Sequence, residues 1–119
     1  VINKGNKMPK KILKNTANEL AVKIISEVSE TITLEDGNYS GTIPSGYSIL
    51  SIRWSTSDGY LSLERNSELI YELSGNGQWN LQTGLADYSN SSSPIDIIHY
   101  TGETTYDSYT LIIHLSKIA

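Results

Sequence analysis

The sequence predicts an all-β chain: an antiparallel β-sandwich of jelly-roll-like form, entered by an extended basic arm. Three observations predict it. Apolar residues recur with a period near two, turn-forming clusters recur about every 8–12 residues, and no window carries helical periodicity. The 119 residues suffice for one domain with a core of its own. Residues 1–11 read as the arm and residues 12–119 as the single sandwich domain.

The elements follow in order. In the arm Gly5, Asn3, Asn6 and Pro9 interrupt any helix and favour an extended path. Leu20, Val22 and Ile24 then alternate with Ala21, Lys23 and Ile25, as in a strand with one buried face, and residues 31–34 repeat the alternation. Glu35-Asp36-Gly37-Asn38 and Ile43-Pro44-Ser45-Gly46 are turn sequences, leaving residues 39–43 as a short edge strand. Residues 49–55 read as a central strand with Leu50, Ile52 and Trp54 on one face. Ser57-Asp58-Gly59 predicts a hairpin, because Gly accepts the positive φ of a tight primed turn.

Residues 60–65 are the expected return strand, with Leu61 and Leu63 inward. Asn66-Ser67 turns the chain into residues 68–73, where Leu69, Tyr71 and Leu73 share a face, so three consecutive strands form a meander. Gly75-Asn76-Gly77 breaks the pattern before a brief strand at residues 78–81. A Ser- and Asn-rich loop follows at residues 87–94, then a strand at 95–100, a turn at Thr101-Gly102-Glu103 and a long closing strand at 108–118. The count is eight or nine strands.

Charge is distributed unevenly. Lys4, Lys7, Lys10, Lys11 and Lys14 are five of the nine basic residues, and the first fourteen positions hold no acid, although the net charge is -4. A polycationic lead on an acidic body suggests a tether that docks on a negative surface. The acidity of the body argues against broad nucleic-acid binding. The absence of cysteine removes thiol catalysis and disulfide scaffolding. No apolar stretch has the length of a membrane span. Eight Tyr and two Trp with no Phe give aromatic rings that carry a polar handle, suited to half-wet surfaces.

Chemical sites are sparse. His99 and His114 lie in separate strands without a third ligand of suitable spacing, so neither a metal nor a cofactor is expected. Asp96 and His99, three apart on a strand, point to opposite faces and make a poor dyad for a hydrolase. Glu64, Glu68 and Glu72 recur every four residues, but on strands they decorate solvent rather than one catalytic face. Glu35-Asp36-Gly37-Asn38 is half of a calcium loop without the distal Glu. Asn76, Gln78, Trp79 and Tyr88 could form a sugar-binding rim, a ring to stack on with amides beside it. The competing expectation is a core Trp79 beside a glycine-lined bend.

Lys14-Asn15-Thr16 opening into Ala21-Val22-Lys23, Ile52-Arg53-Trp54-Ser55, Leu63-Glu64-Arg65-Asn66 with Tyr71-Glu72-Leu73-Ser74-Gly75, and Gly77-Gln78-Trp79 come in a telling order. With Ser93-Pro94-Ile95-Asp96-Ile97 and Thr110-Leu111-Ile112-Ile113 before Lys117, the order resembles small virion structural proteins of marine tailed bacteriophages. The resemblance covers residues 10–119 and leaves the arm before Lys10 unmatched. It implies a non-enzymatic decoration or cement protein on the outer capsid surface, with the major capsid protein as partner and trimer or neighbour contacts between copies. The lysine arm would then lie across acidic ridges of the shell. A receptor- or carbohydrate-binding module of a fibre or tail is the alternative.

Overall fold

The structure is a computed structural model and describes residues 9–81, 89–101 and 108–119. Seven strands are present among them: β1 (Lys10–Asn15), β2 (Glu19–Ser26), β3 (Glu30–Ile32), β4 (Gly46–Arg65), β5 (Glu68–Asn80), β6 (Ile95–Tyr100) and β7 (Tyr109–Ile118). All pairings are antiparallel. The sheet order is β1-β2-β7-β4-β6-β3, with β5 on the other side of β4. The sheet curls into a half-barrel.

The curl arises within one strand. Straight, the 20 residues of β4 would extend about 66 Å, whereas the longest dimension of the molecule is 41 Å. The strand bends where a hairpin turn was expected, at Ser57-Asp58-Gly59. Gly59 does adopt positive φ (74°), but the chain continues in the same strand. Against β5, the register steps from Ser55↔Asn76 to Tyr60↔Ser74, so β4 has surplus residues and bulges. Opposite the bulge, Gly75 (φ 63°) bends β5 without ending it. Thr56 Oγ1 accepts a hydrogen bond from Gly75 N at 2.9 Å and donates one to Gly75 O at 3.3 Å, which fastens the two bends together.

The bend divides the sheet into two limbs. Residues 46–56 of β4 pair with β7, and residues 60–64 with β6. The first limb thus contains β1, β2, β7 and the near part of the β4–β5 hairpin, and the second contains β3, β6 and the far part. Asn66 and Ser67, both with positive φ, form the tight turn between β4 and β5, as the sequence predicts.

One hydrophobic cluster fills the concave side, drawing Leu20, Val22 and Ile24 from β2, Leu111, Ile113 and Leu115 from β7, and Leu61, Leu63, Ile95 and Ile97 from the second limb. Burying each contributes about 1.5–3 kcal/mol. Several local expectations are corrected. Leu50 is not in phase with Ile52, because the register skips it between Ile49↔Leu115 and Ser51↔His114; Ile49 and Ile52 are the buried residues. Trp54 packs against the core but is only partly buried. Residues 33–38 form a capped 3₁₀ turn at Leu34–Gly37 instead of prolonging a strand, and residues 39–43 keep one bridge, Tyr39↔Thr42.

Candidate functional site

The lysines assigned to the arm separate in the structure. Lys4 and Lys7 lie outside the described residues. β1 opens at Lys10, so Lys10 and Lys11 are sheet residues. Lys10 pairs with Ile24 of the core face, and its ammonium donates to Thr31 O and to Asp36 Oδ2, both at 2.8 Å. Asn15 at the other end of β1 donates to Asn38 O at 2.9 Å. These side chains tie the edge of the first limb to the segment that follows β3.

A bulge decides where Lys14 points. Simple alternation would put Lys10, Ile12 and Lys14 on one face, but the register jumps from Ile12↔Val22 to Lys14↔Ala21. Lys14 therefore joins Lys11 on the outer face. There its ammonium reaches Glu19 Oε1 at 2.6 Å, and His114 Nε2 stands 3.0 Å from the same oxygen. The hydrogen bond from Lys14, then that from His114, holds the Glu19 carboxyl below its ordinary range.

The outer face of the first limb also carries a row that the sequence reading did not assemble. Lys11 is registered with Lys23, Lys23 with Ile112, Ile112 with Arg53, and Arg53 with Gln78. Three cations thus lie on one line across five strands, and among the described residues the only carboxylate at an outward strand position of this limb is Glu19, at its far end. Alternation places Asn76, Ser55, Thr110 and Ile25 in the next row. An open groove of about 430 Å³ runs between the two rows, lined by Arg53, Ser55, Asn76, Gln78, Thr110 and Ile112. Arg53 Nη2 donates to Gln78 Oε1 across its rim at 3.1 Å.

The second limb has the opposite sign. Glu64 is registered with Asp96 and with Leu69, and Ser62 with Glu72 and Ile98. These positions alternate with the buried Leu61, Leu63, Ile95 and Ile97 and so face outward, with no base at an outward strand position among the described residues. Asp96 accepts from Thr31 Oγ1 at 3.0 Å. The charge division noticed between arm and body is therefore also a division between the two outer faces. Single strands carry only fragments of this signal. The outward positions of 51–55 hold one base, Arg53, and no acid, those of 62–72 hold carboxylates, and those of 19–25 hold one of each, Glu19 and Lys23, so the row itself emerges only from the register.

The expected sugar rim is divided by strand alternation. Asn76 and Gln78 line the outer groove, whereas Trp79 pairs with the buried Ile52 and lies on the concave side. There it meets Tyr71 edge-on (centroids 4.3 Å) and Trp54 edge-on (6.0 Å), a half-exposed aromatic cap on the core. Tyr88 lies outside the described residues. The histidines are also apart: His99 pairs with buried Leu61, His114 with Ser51 of the outer face. His99 Nδ1 lies 2.9 Å from Glu27 O, and its ring packs on Tyr109 (4.9 Å). Among the described residues no group of three or more acidic or histidine side chains could hold a metal, and no helix is long and apolar enough to cross a membrane.

No family model matches the sequence, and no curated protein matches it either. Among solved structures, a Ralstonia eutropha JMP134 protein provisionally named a mannose-6-phosphate isomerase has a TM-score of 0.41 at 10% identity, covering 92% of this chain and 83% of its own. A likeness of that size carries no argument about fold family or activity.

Proposed function

We propose that the chain is a non-enzymatic virion structural protein: a decoration or cement protein on the outer capsid surface, seated on the major capsid protein through its basic arm and sheet edge. The observation that carries this reading is β1. Among the described residues it pairs with β2 alone, so its other edge has no strand partner there and could add to a partner's strand or arm. Lys11 stands exposed on that edge strand, directly after the segment that carries Lys4 and Lys7. In the same reading the curled sheet is a jelly-roll-like sandwich, because both limbs contribute to one hydrophobic cluster. Many such seats on one lattice would convert weak contacts into firm attachment. A reconstruction of the virion that contains the chain tests it. Density for residues 1–15 along an acidic ridge of the shell is expected; a location confined to the tail would remove the reading.

A carbohydrate- or receptor-binding role on a fibre or tail is the second reading, favoured by the groove beside Arg53, Asn76 and Gln78. Amides and a guanidinium over the apolar side chain of Ile112 suit a sugar's hydroxyls and ring face. Arrayed glycans should then be retained by the wild type and lost by Arg53→Ala. No retention by the wild type would end it.

A further inference from the structure

We propose that copies of this chain associate head to tail, the cationic outer face of the first limb of one copy against the anionic outer face of the second limb of the next. The occupant follows from charge complementarity within one chain. Lys23 and Arg53 are two strands apart across Ile112; Glu72 and Asp96 lie on strands likewise two apart, flanking β4. At about 4.8 Å per strand the cation pair spans about 10 Å in one row, and the carboxylate pair, offset by two residues along β4, spans about 12 Å. The apolar residues match as well. Ile112 and the exposed Ile25 lie among the cations, and Ile98 and the exposed Leu69 among the carboxylates. Such a contact interleaves apolar and charged groups: Ile112 lies between Lys23 and Arg53 on one face, and Leu69 and Ile98 flank Ser62 and Glu64 on the other.

Lys11, Lys23, Glu64 and Glu72 have no ion-pair partner among the described residues, so a neighbour would not have to displace an internal one. Because the two faces differ, the contact is heterologous and each copy keeps one unused face. It therefore continues into rings or rows of copies rather than stopping at a dimer. The inference does not depend on what surface the copies sit on, and it holds or fails for the protein in free solution.

Sedimentation equilibrium of the full chain tests it. Association is expected at about 50 mM salt and should weaken about tenfold at about 500 mM, where the screening length falls from ~14 to ~4 Å. A charge-swap pair supplies the decisive arm: K23E/R53E makes both faces anionic, and E64K/E72K makes both cationic. Each variant alone should be monomeric, and an equimolar mixture should associate again. The neutral pair K23Q/R53Q and E64Q/E72Q should weaken association without recovery on mixing, and circular dichroism of each variant checks its fold. A wild type that stays monomeric at low salt would overturn the proposal. So would self-association of the swapped variants, or a mixture that fails to recover.

Discussion

Arg65 donates a hydrogen bond from Nη1 to the carbonyl oxygen of Tyr47 at 2.9 Å, although both residues belong to one strand and lie 18 positions apart. An extended strand would hold them about 60 Å from each other. The contact measures how far β4 turns back, and it forms on the concave side, where Arg65 is 1% exposed. The same guanidinium donates to Ser91 O at 2.7 Å and to Ser93 O at 2.8 Å, so it also gathers the polar segment before β6. Asn90 returns a bond to Arg65 O at 3.2 Å.

Replacing Arg65 should therefore damage the fold more than any outer-face substitution. Arg65→Met would keep the stem but leave the carbonyls of Tyr47, Ser91 and Ser93 without these donors, each bond to a charged group being worth about 1.5–3 kcal/mol. A loss of about 3 kcal/mol or more is expected, a large fraction of a typical domain's stability. Urea denaturation reads it as a lower midpoint at similar slope. Arg65→Lys should rescue only part, since one ammonium cannot reproduce the planar fork. A loss under about 1 kcal/mol would show that the carbonyls find other partners.

Gly75 and Gly77 invite a contrast between two kinds of glycine. A Cβ at Gly77 would overlap Trp54, with Cη2 only 2.7 Å away; the indole lies across this glycine and donates from Nε1 to Ser74 O at 2.9 Å. At Gly75 a Cβ meets nothing within 4 Å, but φ is +63°. Gly77→Ala should cost about 1–3 kcal/mol through overpacking and shift tryptophan fluorescence to the red as the indole is displaced. Gly75→Ala should cost about 1 kcal/mol through backbone strain alone and leave the fluorescence in place. Equal spectra for the two variants would refute the distinction.

Most strands and the turns at residues 35–38 and 66–67 were legible because alternation and turn chemistry are local, while the expected turn at Thr101-Gly102-Glu103 lies largely outside the described residues. Leu20, Val22 and Ile24 declare a buried face, and Asn66-Ser67 declares a tight turn, without reference to the rest of the chain. The bulges were not legible. Asp58-Gly59 has the same local chemistry whether the chain reverses or bends, and only the pairing of β5 along both halves of β4 decides for a bend. A bulge also changes phase, so the outward position of Lys14 and the skipped Leu50 could not be read by counting in twos. For the same reason the basic row was hidden: Lys11, Lys23 and Arg53 are neighbours through cross-strand register, not through sequence.

The Lys10–Asp36 pair tests whether part of the basic lead serves the fold. Lys10 and Asp36 have side chains 27% and 22% exposed, and Asp36 also accepts from Thr33 N at 2.9 Å in the capped turn. Lys10→Met should destabilise by about 0.5–1 kcal/mol, as expected for a half-exposed pair. Because Asp36→Asn additionally weakens the cap, only a double-mutant cycle isolates the pair, and a coupling of about 0.5 kcal/mol is expected. Zero coupling in thermal melts would free Lys10 for an external partner.

Glu19 supplies the pH dependence. Its carboxyl is held below the ordinary 4.5 by Lys14 first and His114 second, so the folded state prefers the ionised form more than the unfolded chain does. A carboxylate shifted in this direction contributes its full stabilisation above the unfolded value and loses it as pH falls through the folded value. Melting temperatures followed from about pH 7 to about pH 2.5 should thus fall more steeply for the wild type than for Glu19→Gln below pH 4.5. Because Lys14 is half exposed, the difference should shrink when salt is raised. Lys14→Met should reproduce most of the flattening and His114→Phe less of it, following the order of the two causes. Parallel acid limbs for wild type and Glu19→Gln would remove the Lys14–Glu19–His114 cluster from any account of how the first limb responds to acid.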